Sequence, residues 1–246
     1  MWLKGFYSLM KLLQRILFCS VLLSCNQKEN CCPPAEFLVG QMVSNERDFV
    51  PVDSLYGKKT ILLDSQVYKA FVLMADSAKK SGIDLYILSG YRSFYSQKSI
   101  WERKWEKNSS TMDDAENAKH ILRYSSMPGI SRHHWGTDID LNSLNSEYFK
   151  SGEGAQVYQW LNDNADHFGF FQPYTSKDKG RTGFETEEWH WSFYPLSRGY
   201  LDCYLQNDSI EDLITGFNGA QFYGLHNIKK RYVEGIEMYP IEESIQ

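Results

Sequence analysis

The chain has 246 residues, 42% hydrophobic and 23% charged, which is length and apolar content enough for one sizeable core or two smaller ones. Its 26 Lys and Arg stand against 31 Asp and Glu, giving a formal net charge of -5 with no block of like charge, which excludes a protein built to track nucleic-acid phosphates. Aromatic residues are plentiful at 15%, and three of the seven tryptophans, Trp135, Trp189 and Trp191, lie in two polar motifs.

The first 24 residues read as an export signal. Lys4, Lys11 and Arg15 form a positive region, and the apolar run from Ile16 to Ser24 is much shorter than the roughly 20 residues a membrane-spanning helix needs. Leu22-Leu23-Ser24 before Cys25 resembles a bacterial lipoprotein signal, with Cys25 lipidated and becoming the mature N-terminus. A plain secretory signal is the alternative, and Met10 is a second candidate start. Export places the remaining cysteines in oxidising surroundings, where one of the adjacent Cys31 and Cys32 is a candidate partner for Cys203. Residues 25–55 are polar, carry Pro33-Pro34 and read as a tether.

From Ser65 to Lys80, Val67, Phe71, Met74 and Ala78 recur at helical spacing and Gly82 closes the segment. Ile83 to Leu88 reads as a strand ending in Ser89-Gly90-Tyr91-Arg92-Ser93, a turn that puts Arg92 at a strand end. Helices are expected over 94–107 and 113–124, the second opening on Asp113-Asp114, where acids suit the dipole. Thr137 to Leu141 alternates as a half-buried strand should. Gly154 to Phe168 reads as a helix, and Trp189 to Tyr194 as a strand stopped by Pro195. Residues 206–246 read as a helical extension, from Ile210, Leu213 and Ile214 and then Ile228, Tyr232 and Ile236. Helices and short strands without regular βαβ alternation indicate an α+β fold.

The chemistry lies in two motifs. Ser131-Arg132-His133-His134-Trp135-Gly136-Thr137-Asp138-Ile139-Asp140 offers an imidazole and, seven residues on, a carboxylate, while Glu187-Glu188-Trp189-His190 offers an imidazole with a carboxylate three residues earlier. Two His and one Asp suffice to hold a catalytic Zn2+ with a position left open for water, and a leftover Glu is the base such a water needs. Gly136 permits the turn that lets His133 and the following strand reach one metal. Asp138 and Asp140 point to the same face of that strand, so spacing alone leaves both as candidates. Glu187 and Glu188 are likewise alternative bases. Arg92 is a permanent cation suited to an oxyanion or a substrate carboxylate, and Ser131 and Gln97 are neutral groups able to orient a peptide terminus. Tyr91 is placed either to stack on substrate or to support its turn. His134 reads as a surface or supporting residue, and Trp101, Trp105 and Trp160 as core; Trp189 and Trp191 are candidates to line the cleft.

At these residues the chain resembles the VanY-type zinc D-alanyl-D-alanine carboxypeptidases and dipeptidases, which share a fold with lysostaphin-like endopeptidases and hedgehog N-terminal domains. Ser131, His133, Gly136 and Asp140 meet the pattern Ser-x-His-x-x-Gly-x-Ala-x-Asp. Glu187, Trp189 and His190 meet Glu-x-Trp-His, and residues 89–93 with Gln97 meet Ser-Gly-Tyr-Arg-Ser-x-x-x-Gln. The resemblance covers roughly residues 60–200. It implies a small antiparallel sheet carrying the zinc site between flanking helices, with His133, Asp140 and His190 as zinc ligands. It further implies Glu187 as base and Arg92 and Ser131 as substrate contacts; beside it, Arg92 is expected to polarise the scissile carbonyl, and Gln97 and Tyr91 are further candidate substrate contacts. The one departure is Asp138, where the pattern has Ala; it is expected to pair with Arg92 or to orient a ligand. The expected organisation is a signal over 1–24, a tether over 25–55, a catalytic domain over 56–205 and the extension beyond. The expected activity is removal of the terminal D-Ala from peptidoglycan stem peptides, by an enzyme held at the outer side of the membrane through Cys25. An endopeptidase of the same fold and a non-catalytic wall-binding lipoprotein are the alternatives.

Overall fold

The computed structural model describes residues 32–42 and 49–239; the expected export signal and Cys25 lie outside the described residues. The first described element is a single helical turn, α1 (Ala35–Leu38), whose Phe37 and Leu38 are fully buried with Val39. This corrects the expected tether. Pro33-Pro34 does not open a free linker but starts a turn whose apolar residues belong to the core, where burying each large side chain is worth roughly 1.5–3 kcal/mol. Strands β1 (Phe49–Pro51) and β2 (Leu62–Asp64) form an antiparallel ladder, and β2 runs directly into α2 (Ser65–Lys80). Asp64 caps that helix by accepting a hydrogen bond from the Gln66 amide at 2.8 Å, and Lys79 and Lys80 occupy its last turn, where cations suit the dipole.

Strand β3 (Ile87–Ser89) is shorter than the expected 83–88 strand. Its neighbour turns away at Asn142, which has φ of 58°, and the Asn142 side chain takes over the pairing, accepting from the Tyr86 amide and donating to the Asp84 carbonyl. Helices α3 (Phe94–Asn108) and α4 (Asp114–Ile121) follow, capped by Ser93 and Asp113. A 3-10 turn over Arg132–Trp135 leads through Gly136 into β4 (Asp138–Leu141). Helix α5 (Gly152–Asn164) covers most of the expected 154–168 helix, the remainder, Ala165–Phe168, tightening into a 3-10 turn before β5 (Phe170–Phe171). Strand β6 (His190–Phe193) passes straight into α6 (Tyr194–Gln206). Pro195 therefore begins a helix as well as ending a strand: in the first turn its missing N–H would be unpaired anyway.

The second sheet has the order β3-β4-β6-β5, antiparallel throughout. One of its faces, with Ile87, Ile139, Leu141, Phe170 and Trp191, joins a core completed by Phe71 and Met74 of α2 and Leu161 of α5. A second core gathers Trp101 and Trp105 of α3, Trp135 and Tyr204. The segment expected as a long helical extension is broken into α7 (Ile210–Leu213), α8 (Phe222–Leu225) and a π turn over Lys229–Val233. Its Ile210, Phe217, Tyr223, Ile228 and Tyr232 are buried in that same core, so it is part of the packing rather than an addition to it. Cys32 and Cys203 are each disulfide-bonded.

Candidate metal centre and cleft

The other face of the β3-β4-β6-β5 sheet is polar. Cross-strand register sets Asp140 opposite His190 and Asp138 opposite Ser192, while Ile139 and Trp191 point into the core. The third imidazole arrives from the 3-10 turn. Gly136, at φ of 69°, reverses the chain between His133 and β4, and its carbonyl accepts from the Asp64 amide. The turn is also clasped to the Arg92 loop: His133 Nδ1 lies 2.8 Å from the Gly90 carbonyl, His134 Nδ1 lies 2.6 Å from the Arg92 carbonyl, and the Arg92 amide donates to the His133 carbonyl. His134 is thus a fully buried tie between backbone segments, its Nε2 accepting from the Gly129 amide, and not a surface residue. Burial pushes its pKa down to about 3, so it is neutral.

His133, Asp140 and His190 form a cluster whose ligand atoms all lie within 4.8 Å of one another. His133 Nε2 is 3.3 Å from Asp140 Oδ2, and His190 Nδ1 is 3.0 Å from Asp140 Oδ1. The donor set fits a zinc ion: two imidazoles and a carboxylate, all buried, with the distal nitrogen of each ring already bonded elsewhere. For Asp140 and His133 the electrostatics suit ligation, which needs an ionised carboxylate and a neutral imidazole. Burial alone would favour the neutral form of Asp140, but the adjacent His133 and His190 hold its carboxyl far below the usual range. Burial would depress His190, yet the hydrogen bonds its ring nitrogens donate to the Asp138 and Asp140 carboxylates raise it to about 9, so a metal would bind there by displacing a proton. For His133, burial prevails and lowers the pKa.

The cluster opens into a cleft of about 620 Å³. Glu187 lines it, with Oε2 3.9 Å from His190 Nδ1; Glu188 is not among the lining residues. Of the two candidate bases, Glu187 is the one whose residue lines the cleft beside the ligand cluster. Burial raises its carboxyl to about 8 against the pull of His190, Arg92 and Lys104; a cation at the neighbouring ligands acts in the opposite direction to burial. Arg92 Nη2 stands 3.7 Å from Asp140, and the guanidinium is fixed by Ser89 at 2.8 Å and Gln97 at 2.7 Å.

Ser131 lines the cleft. Gln97 and Tyr91 do not line it. Gln97 is fully buried and bridges Arg92 to the Ser126 carbonyl, 2.6 Å away, so its place is behind the arginine. Tyr91 packs its ring against Phe49, centroids 4.7 Å apart, which fits support of its turn. Asp138 pairs with Arg132 at 2.8 Å rather than with Arg92. Trp189 lines the cleft while also packing in the core, whereas Trp191 packs in the core and does not line the cleft.

Three groups at the cleft lay beyond the motif reading. Tyr174 places its ring 4.8 Å from that of His190, and Arg103 and Lys104 of α3 add positive charge to the wall that carries Arg92. Partial burial pulls the Lys104 ammonium down from its usual value against the attraction of Glu187. The available signal was the helical offset of Lys104 from Gln97, seven residues or two turns, which puts both on one side of α3.

A family model described as VanY, D-alanyl-D-alanine carboxypeptidase, matches residues 60–196, more than half of the chain. A D-alanyl-D-alanine carboxypeptidase of Enterococcus faecalis is 29% identical over 119 residues, 48% of this chain and 43% of that protein. One of Enterococcus faecium is 27% identical over 181 residues, 66% of this chain and 53% of that protein. The chain thus spans about half the length of these curated relatives. Among solved structures, VanYB in complex with D-alanine-D-alanine has a TM-score of 0.52 at 20% identity, covering 78% of this chain and 89% of that one. A vancomycin-resistance D,D-pentapeptidase VanY in complex with Zn(II) has a TM-score of 0.50 at 23% identity, covering 69% and 90%. The LD-carboxypeptidase LdcB has a TM-score of 0.51 at 21% identity, covering 75% and 80%. At these identities the structural likenesses show the shared α+β fold.

Proposed function

Because the chain belongs to the VanY D-alanyl-D-alanine carboxypeptidase family, we propose that it is a zinc-dependent carboxypeptidase removing the terminal D-Ala from peptidoglycan stem peptides. The observation that carries this reading is the convergence of His133, Asp140 and His190 beside Glu187 in a cleft walled by Arg92. The relatives' complexes with Zn(II) and with D-alanine-D-alanine support the choice of metal and substrate. When bound, zinc supplies a Lewis acid that polarises a peptide carbonyl and makes water a nucleophile near neutral pH.

The side chains divide the remaining work. Glu187 removes the proton from the attacking water and returns it to the departing D-Ala amine, a transfer its position beside the ligand cluster allows. Arg92, locked in place by Ser89 and Gln97, presents its guanidinium to the scissile carbonyl as negative charge develops there. Arg103 and Lys104 extend this positive wall, and with Ser131 they suit a substrate ending in a free carboxylate. That requirement favours a carboxypeptidase over an endopeptidase. The sequence features of residues 1–25 support export and a lipid anchor at Cys25, which would hold the site facing the cell wall.

The test is mass analysis of products from zinc-loaded protein given three peptides: a pentapeptide stem ending in D-Ala-D-Ala, its C-terminal amide, and a tetrapeptide stem ending in a single D-Ala. D-Ala released chiefly from the free pentapeptide is the expected result. Preference for the tetrapeptide, an internal cut, or equal turnover of the amide would replace the proposed specificity, and no product from any of them would remove the proposed activity.

A further inference from the structure

We propose that Asp138 and Arg132 form a buried positioning pair that turns the His190 ring so that its Nδ1 faces Asp140 and His133. The inference rests on the reading that His133, Asp140 and His190 hold the metal. His190 Nε2 lies 3.0 Å from Asp138 Oδ2, on the side of the ring away from Asp140. The same Asp138 oxygen accepts from Arg132 Nε at 2.8 Å, and the other oxygen accepts from Thr137 Oγ1 at 2.7 Å and Ser192 Oγ at 2.9 Å. Arg132 Nη2 donates to Ser192 Oγ at 2.6 Å, and Ser197 Oγ stands 3.0 Å from that hydroxyl. Asp138 and Ser192 are fully buried and Arg132 is 2% exposed.

A carboxylate behind a ligand imidazole is the arrangement that fixes ring orientation and raises ligand basicity. The two imidazoles of this cluster obtain that support differently. His133 is oriented by a backbone carbonyl, that of Gly90, whereas His190 depends on a side chain. A buried carboxylate is tolerated only with a compensating cation, and Arg132 fills that role from within the same motif, its guanidinium also lying 4.8 Å over the Trp135 ring. Register explains why Asp138 serves this purpose: it sits two residues before Asp140 on the same face of β4, one rung further from the cleft and opposite Ser192 rather than His190.

The experiment measures zinc affinity by competition with a chromophoric chelator, the visible spectrum of the cobalt-loaded protein, and Tm. It uses wild type, Asp138→Asn and the double variant Asp138→Ala with Arg132→Met. Asp138→Ala alone strands a buried Arg132 and risks unfolding; the double variant removes both charges together and is expected to fold. Both test proteins should bind zinc about 10–100-fold more weakly than wild type and show an altered cobalt spectrum. A folded double variant with wild-type zinc affinity and an unchanged cobalt spectrum would overturn the proposal. Failure of the underlying metal reading shows itself separately: wild type would then not bind zinc stoichiometrically, or His133→Ala would leave its affinity unchanged.

Discussion

Replacing Gln97 by Leu tests whether this residue serves the substrate or the arginine. Leu is close to Gln in size, so the change removes polar contacts without opening a large cavity. Two contacts go: the acceptor for Arg92 Nη1 at 2.7 Å and the donor to the Ser126 carbonyl at 2.6 Å. A hydrogen bond to a charged group is worth roughly 1.5–3 kcal/mol, and leaving the half-buried Ser126 carbonyl without its donor costs at most about 1–3 kcal/mol. Arg92 keeps Ser89, so part of this is recovered. A net loss of about 2–4 kcal/mol corresponds to a Tm lower by roughly 4–16 °C for a domain of this size. A guanidinium freed to shift by about 1 Å should also lower kcat by about 10- to 100-fold. Gln97→Glu keeps an acceptor for Arg92 while losing the donor to Ser126, so it should lose stability yet retain most of its turnover. Thermal unfolding and steady-state kinetics on the pentapeptide read both effects. If Gln97→Leu raises KM with kcat and Tm unchanged, Gln97 touches substrate and the assignment behind Arg92 is wrong.

Three further outcomes are expected. Glu187→Gln should retain stoichiometric zinc in a chelator competition while turnover drops by about 10²–10⁴-fold; retained turnover moves the base elsewhere. Gly136→Ala forces a side chain into the left-handed region, at about 1–2 kcal/mol, and sets a Cβ 2.3 Å from Phe49 Cε1, displacing the ring that packs on Tyr91 at a further cost of about 0.5–1.5 kcal/mol. Gly82→Ala, at φ of 76° with nothing within 4 Å, should show the backbone cost alone, so equal Tm losses in the two variants would dismiss the contact with Phe49. Stripping the metal should lower Tm by about 5–11 °C relative to protein in 100-fold excess over its zinc Kd, the effect of about 2.7 kcal/mol of linked binding, and returning zinc should restore it; a Tm indifferent to chelator removes zinc from the folded cluster.

Where local chemistry and tertiary packing agree, the elements were legible from residues alone. The Ser65–Lys80 helix has its apolar residues at helical spacing, a capping Asp64 and terminal lysines, and it forms over that range. Helix α3 and strands β4 and β6 likewise lie within a residue or two of expectation. The failures share a cause. Phe37, Leu38 and Val39 form too short a run to show periodicity, and their burial depends on Tyr200 and other residues distant in sequence. The turns after residue 209 have helical spacing but contain Gly216, Gly219 and Gly235, and Gly216 and Gly219 take positive φ, so the backbone breaks while the apolar residues remain in the core. Helix α6 was hidden by Pro195, which is compatible with a first helical turn as well as with the end of a strand.

The site divides along the same line. Motif spacing identified the imidazoles and placed two carboxylates on one face of β4, but strand periodicity treats Asp138 and Asp140 alike. What distinguishes them is information from other parts of the chain. Antiparallel register puts His190 opposite Asp140, so that carboxylate reaches both imidazoles, at 3.0 Å and 3.3 Å. Asp138 is opposite Ser192, and its Oδ2 accepts from the Arg132 guanidinium at 2.8 Å. A buried anion already paired with a guanidinium is a poor candidate to bind a metal directly, because it would have to give up a charge-assisted bond inside the protein to do so. Arg132 stands between Ser131 and His133 in the motif, yet its effect is to settle which of two aspartates, six and eight residues later, is left free for the metal.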